Sequence, residues 1–370
     1  MWRTILAAIA LAASTVLAQS EGPIVLGQSV ALTGPAAQLG LDMQLGASLY
    51  FNKVNAQGGV HGRKIMLKTL DDGYEPPRAV ANTKRFIDED RVFALFGYVG
   101  TPTSQAVLPI FTEARVPYVG AFTGAELLRQ PFNRYIFNVR ASYFDETEAI
   151  VQHLTAMSVD KIAVFYQNDA YGQAGLAGVE RALKKRNLEV VAKATVERNT
   201  VEVAKAVETM RKAKPQAIVM IGAYTGCAAF IRDMKKAGAA PTFWNVSFVG
   251  SKALAQALGN DGRGVQISQV VPFPWDSSLP VVKEYRALLA ESGKGEPGFG
   301  TLEGFIAAKV MVEGLRRAGR TLTRDGFIKA MESMGELDVG GFKVSYSPEN
   351  HNGSKFVDLT IISKDQKFVR

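Results

Sequence analysis

VFALFGYVGTPTSQAVLPIFTEARVPYVGAFTG, residues 92–124, decides the fold. Phe93, Ala94, Leu95 and Phe96 form a short continuous apolar run, the pattern of a parallel strand covered on both faces. Gly97 and Gly100 let the chain turn. Thr101 then stands where a helix N-cap belongs, with Pro102 at the first helical position. A second apolar run, Val116 to Val119, ends at Gly120, and Thr123-Gly124-Ala125-Glu126 has the spacing of a capping box. Two strand ends are thus expected to deliver two helix N-termini side by side. Such termini carry unpaired N–H groups and a positive partial charge, which suit a carboxylate or another anion. Threonines at these places also serve purely as helix caps, and the motifs alone do not choose between the two roles.

Outward from this stretch the same alternation continues. Upstream, Ile24 to Leu32 reads as a strand, Leu39 to Asn55 as a helix stopped by Gly58-Gly59, and Lys64 to Leu70 as a strand closed by Asp71-Asp72-Gly73. Pro76-Pro77 opens a helix running to about Glu89. Arg134 to Val139 is a further strand. After a break near residues 140–145 a second series begins. Strands are expected at Ile162 to Tyr166, Glu189 to Ala194, Ala217 to Ile221 and Phe243 to Val246. Helices are expected from the loop 167–172 to about Arg186, from Val201 to Lys212, from about Tyr224 to Ala237, and from Ser251 to Leu258. Repeated strand–helix alternation predicts an α/β protein with two doubly wound parallel-sheet lobes. Helices at Val281 to Ala290 and Leu302 to Arg317 would complete the first lobe, and strands near Phe342 and Phe356 the pair. Ligands of open α/β sheets sit beyond the strand carboxyl ends, so the loops at Thr101, Thr123, Tyr171 and Tyr224 should face one cleft.

The chain has 370 residues, 47% hydrophobic and 21% charged, enough for two cores and unlike a disordered polymer. Residues 1–18 read as a signal peptide: Arg3 is the basic start, Ile5 to Ala13 the apolar core, and Val16-Leu17-Ala18 the cleavage site. The apolar run is too short to span a membrane. A soluble, periplasmic protein is expected. Cleavage removes Arg3 and no acidic residue, so the formal charge goes from +8 to +7. The cations are dispersed, and the densest run, Lys184-Lys185-Arg186, ends a predicted helix, where it suits the dipole. No nucleic-acid partner is expected. Cys227, the single cysteine, excludes an internal disulfide and reads as a buried thiol.

Catalytic and cofactor motifs fail on context. Gly293 to Gly298 matches G-x-G-x-x-G in letters, but it follows no strand and contains Pro297. There is no phosphate-cradling G-x-x-x-x-G-K-[ST], no H-E-x-x-H and no G-x-S-x-G. His61, His153 and His351 stand in unrelated settings. Asp71-Asp72 reads either as an acid–base pair or, more simply, as a loop cap. No cofactor, metal or catalytic residue is expected, and the protein is not read as an enzyme.

VALTGPAAQLG, FNKVNAQGGVHGRKI, LDDGYEPPRAV, FGYVGTPTSQA, GAFTGAELL and NDAYGQAG, in this order, resemble the branched-chain amino acid–binding proteins of bacterial ABC importers, which have the type I periplasmic substrate-binding fold. The likeness spans the mature chain, most clearly residues 24–172. It implies two lobes, 24–141 plus 272–345 and 142–271 plus 346–370, closing on a small molecule and docking on a membrane permease, with the chain acting as a monomer. The family's carboxylate site falls on Thr101, Ala121 and Thr123, and its pocket wall on Leu39, Tyr171 and Tyr224. Tyr98, Phe122 and Phe248 add aromatics. The cysteine pair of the best-known members falls on Tyr74 and Gly100. The acidic partner of the amino acid's ammonium falls on Ser247, which cannot neutralise a buried charge. The expected ligand is therefore a small carboxylate without an α-ammonium, with a branched-chain amino acid as runner-up should another acid, for example Glu303 or Asp145, reach the cleft. A sensory receptor on the same fold is the alternative function. A hydrolase is disfavoured by the absence of a nucleophile–base pair.

Overall fold

The computed structural model describes residues 22–239 and 241–370; the signal peptide expected at residues 1–18 lies outside them. The elements are β1 (Ile24–Val30), α1 (Ala37–Ala56), β2 (Ile65–Asp71), α2 (Pro76–Asp88), β3 (Ala94–Phe96), α3 (Thr101–Glu113), β4 (Tyr118–Val119) and β5 (Ile136–Phe137). They continue with α4 (Tyr143–Ala156), β6 (Ile162–Gln167), α5 (Ala170–Lys184), β7 (Lys193–Val196), α6 (Ala204–Ala213), β8 (Ala217–Ile221), α7 (Tyr224–Lys236), β9 (Thr242–Asn245), α8 (Ser251–Leu258) and β10 (Gln266–Gln269). The last are α9 (Pro280–Ser292), α10 (Phe299–Ala318), α11 (Arg324–Glu332), β11 (Gly335–Asp338), β12 (Lys343–Tyr346), β13 (Asp358–Ile362) and β14 (Phe368–Val369).

Two sheets result. The first runs β2-β1-β3-β4-β5 and is parallel throughout. The second runs β14-β13-β10-β9-β8-β6-β7, parallel except where β13 and β14 join antiparallel at one edge. β11 and β12 pair as a separate hairpin. The chain passes between the two large sheets at residues 138–142, 270–279 and 347–357. Neighbouring crossings are tied together: Asn138 N–H donates to His351 O (2.9 Å) and Gly353 N–H to Asn138 O (2.8 Å).

One face of the first sheet is covered by α2 and α3, where Phe86, Leu95, Val107, Phe111 and Tyr118 form a core of their own. α1 and α10 pack together in the other core. Their backbones approach so closely that a Cβ on Gly46 would lie 1.8 Å from the Thr301 carbonyl oxygen. Glycine is required there by contact, since its φ is ordinary.

The expected strand at Glu189 to Ala194 forms instead at Lys193–Val196. It is a sheet edge with alternating exposure, so its apolar pattern is weak. α4, α11, β10, β11 and β14 have no counterpart among the expected elements; β11 is mostly exposed and offers no apolar run.

Candidate functional site

α3 begins at Thr101, but its N-cap is Gly100 (φ 106°), with Pro102 one position later than expected. A Cβ on Gly100 would lie 2.3 Å from the Tyr74 ring, which fills the space beside it. No side chain caps the helix. The expected capping box at Thr123 does not form. The following helical turn is only Glu126–Leu128, capped at Ala125, and Pro131 disfavours a helical Gln130. The two threonines meet each other instead. Thr101 Oγ1 and Thr123 Oγ1 are 2.6 Å apart, both fully buried. Thr123 Oγ1 donates to the Tyr143 hydroxyl (3.2 Å) at the start of α4, on the second lobe.

An aromatic cluster continues across the cleft. Phe248 lies 4.6 Å from Tyr171, 5.5 Å from Phe122 and 5.9 Å from Tyr74, measured between ring centroids. Tyr171 also meets Tyr143 at 5.4 Å, and its buried hydroxyl has no hydrogen-bond partner among the described residues. Leu39 and Tyr224 both flank Gly250, and the Tyr224 phenol meets the Gln38 backbone, so α1 and α7 also touch across the cleft. Leu39, Phe122 and Ser247 line a small cavity with room for about one water molecule, together with Asp42, Ser251, Gln269 and Glu303.

Two expected site residues do not reach this cleft by their side chains. Tyr98 is buried in the α2–α3 core, where its hydroxyl pairs with Thr83 Oγ1 (2.8 Å) and its ring with Tyr118. A cleft-lining phenol could use water; this one is satisfied from within. The Ala121 methyl belongs to the same core. Asp71 and Asp72 are loop caps. Asp71 accepts from Leu32, Thr33, Gly73 and Arg78; partial burial alone would raise its carboxyl, but these bonds outweigh that and hold it well below the carboxylate range. Asp72 accepts from Ser29 and the Tyr74 N–H, and burial pushes it up to about 6.

The centre of the site is a charge cluster that no motif announced. Arg140, on the first crossing, is 1% exposed. Its Nη2 donates to Glu146 Oε1 (2.9 Å) and to Ser247 Oγ, and its Nη1 to Glu303 Oε1 (3.3 Å). It lies over Phe122, 5.2 Å from the ring centroid. Glu146 is further satisfied by the Ser247 N–H (2.8 Å), Ser247 Oγ (3.0 Å) and Ser268 Oγ (2.6 Å). Ser247 thus bonds a buried carboxylate, that of Glu146, instead of supplying one. Glu303 reaches the cavity, while Asp145 is occupied in a capping box with Ser142. Burial pushes the Glu303 carboxyl up to about 7, with the Arg140 charge opposing the shift.

At the cleft mouth, polar contacts join the lobes. Arg198 donates to Glu75 (3.0 Å) and to Asp169 (3.2 Å). Asn199 Nδ2 donates to Glu75 (2.7 Å) and to Gly73 O (3.1 Å), and Gln167 to the Tyr74 hydroxyl (3.3 Å). Among the described residues no helix is long and apolar enough to cross a membrane.

Residues 23–367 match the family model described as periplasmic binding protein. A crystal structure of a possible leucine/isoleucine/valine-binding protein from Rhodopirellula baltica superposes with a TM-score of 0.90 at 34% identity, covering 94% of this chain and 96% of the other. An amino acid binding protein of Pseudomonas aeruginosa is 26% identical over 321 residues, 84% of each chain. A Leu/Ile/Val-binding protein homolog of Brucella suis is 25% identical, covering 94% of this chain and 92% of the relative. Fold and relatives are those of substrate-binding proteins rather than enzymes, and they imply an extracytoplasmic location. With its two parallel-sheet lobes and a family match across nearly the whole described chain, this protein belongs to the type I periplasmic binding proteins of the branched-chain amino acid–binding kind.

Proposed function

We propose that this chain is an extracytoplasmic solute-binding protein that captures a small carboxylate-bearing ligand between its lobes and delivers it to the permease of an ABC importer. The observation that carries the reading is the buried Thr101–Thr123 hydroxyl pair at the strand ends of one lobe, linked through Tyr143 to the aromatic cluster of the other. Hydroxyls and an uncapped helix N-terminus suit a carboxylate, and the rings suit an apolar body. In this reading residues 1–18 are a cleaved signal, residues 24–141 plus 272–345 form one moving unit, and residues 142–271 plus 346–370 form the other. The protein works as a periplasmic monomer. A panel of amino acids and organic acids, screened by thermal shift, identifies the ligand class.

Two lobes joined by three crossings should close as rigid bodies. Ligand addition is expected to reduce the radius of gyration in small-angle scattering. An unchanged profile at saturating ligand would overturn closure.

The contacts of Arg198 and Asn199 with the Gly73–Glu75 loop join the two lobes across the cleft mouth, so in this reading they favour the closed side of the open–closed equilibrium. The Arg198→Gln variant is expected to bind roughly three- to tenfold more weakly, through faster dissociation, because a partly exposed pair contributes about 1 kcal/mol. Stopped-flow kinetics checks this; an unchanged off-rate would remove the latch.

A further inference from the structure

A groove outside the ligand cleft has no part in solute capture as described. Its volume is about 730 Å³, within the range of small-molecule pockets. Lys252 and Gln256 of α8 line it from one lobe, Pro297 ahead of α10 from the other, and Phe273 and Trp275 from the crossing at 270–279. Phe368 of β14 adds a third ring. The Trp275 and Phe368 rings stack, with centroids 5.8 Å and planes 19° apart, and Phe273 lies 5.0 Å from Trp275. Phe273 and Trp275 keep part of their surface exposed. Phe299 packs against Trp275 and Phe368 and also lines the small cavity of the cleft, so it stands between the two spaces. Ser251 lines the cavity, and its neighbour Lys252 the groove.

The charges around these rings do not cancel. Lys252 pairs with Glu296, which also lines the groove. Arg286 of α9 donates only to neutral acceptors, Trp275 O and Ser277 Oγ. Both bonds use Nη1, so the Nε–Nη2 edge of the guanidinium, which can hold a carboxylate by two parallel bonds, has no partner among the described residues. Lys367 has neither an ion pair nor a side-chain hydrogen bond among the described residues. Asp365 is the single acid of the lining set against these two cations, which leaves one net positive charge. We infer that the groove is a second binding site, separate from the cleft, which takes a small aromatic carboxylate. The ligand's ring lies against Trp275 and Phe368, and its carboxylate meets the free edge of Arg286 with Lys367 nearby. The near-parallel rings suit a flat aromatic body better than an acyl chain. The single net cation suits a monoanion.

The test uses the tryptophans. Without residues 1–18 the chain keeps Trp244, which is fully buried, and Trp275. Fluorotryptophan labelling therefore gives one fluorine resonance in the groove and one outside it, assigned with Trp275→Phe. The probes are naphthoate, its neutral counterpart naphthamide, and decanoate as an aliphatic acid. Naphthoate is expected to shift the Trp275 resonance saturably, leave Trp244 in place, and bind roughly fivefold or more tightly than either other probe. Arg286→Gln should bring naphthoate down to the naphthamide level. Lys367 is exposed, so Lys367→Gln serves if the first variant fails to fold, and it should weaken naphthoate roughly two- to fivefold. Thr101→Val combined with Thr123→Val alters the cleft and should leave the Trp275 titration within about twofold. An unmoved Trp275 resonance, naphthamide or decanoate binding as tightly as naphthoate, an affinity unchanged by both cation variants, or a shift lost in the double threonine variant each overturns the groove site. Solute capture in the cleft stands in all of these cases.

Discussion

The Arg140→Met variant is expected to lose about 3–5 kcal/mol of folding stability, the loss typical of stranding one partner of a buried ion pair. Arg140 is buried to 1% exposure, and Glu146 beside it to 0%. With the guanidinium removed, Glu146 keeps the Ser247 and Ser268 donors but has no counter-charge. Glu303 loses the same counter-charge, and its carboxyl, which burial already pushes up to about 7, takes a proton in acid, so the loss should be smaller in acid than at pH 8. The control separates charge from packing. In Arg140→Met combined with Glu146→Leu the Glu146 charge is gone and Glu303, whose carboxyl burial pushes up to about 7, is the one acid of the cluster left to take a proton, so that double variant should be more stable than Arg140→Met alone. Denaturant titration of both variants checks this. A single-variant loss below about 1 kcal/mol, or a double variant less stable than the single, would overturn the account.

Arg140 also marks where sequence reasoning stopped. Its partners stand 6, 107 and 163 residues away in the chain. Nothing in their spacing forms a motif, because the cluster exists only once the two lobes meet at the first crossing. A weaker signal was present: Glu303 is the one charged residue in the run 301–308 of α10, beside Leu302 and Phe305, and a carboxylate in such company is rarely buried without a task. The strand ends were far more legible. The run Ala217 to Ile221 is β8 residue for residue, because a strand covered on both faces writes its burial directly into composition. β7 slipped towards its C-terminal side because an edge strand has less apolar pattern to read. The threonines were found for a partly mistaken reason. Capping chemistry drew notice to Thr101 and Thr123, yet neither forms the cap its motif predicts. Tyr98 illustrates the opposite error: two residues beyond a strand end, a tyrosine reads as rim, whereas its hydroxyl is buried against Thr83.

Replacing Thr101 and Thr123 by Val is expected to weaken the binding of a carboxylate ligand by roughly 1–3 kcal/mol for each single variant, the range for a hydrogen bond to a charged group. That corresponds to about fivefold to more than a hundredfold in affinity. Val keeps the branched shape, so packing changes little and the hydroxyl is what is tested. The hydroxyls bond to each other at 2.6 Å, and both are fully buried. Each therefore holds the other's orientation, and the double variant should cost less than the sum of the singles. Stability gives the second readout. Neither hydroxyl caps α3, so the melting temperature should move by the equivalent of about 1 kcal/mol or less in either variant. Removing both partners together leaves no buried hydroxyl of the pair unsatisfied, so the double variant should melt no lower than the worse single. Calorimetric titration beside thermal unfolding separates affinity from stability for all three proteins. Unchanged carboxylate affinity in the double variant, with only the melting temperature lowered, would reduce the pair to a structural tie between two loops.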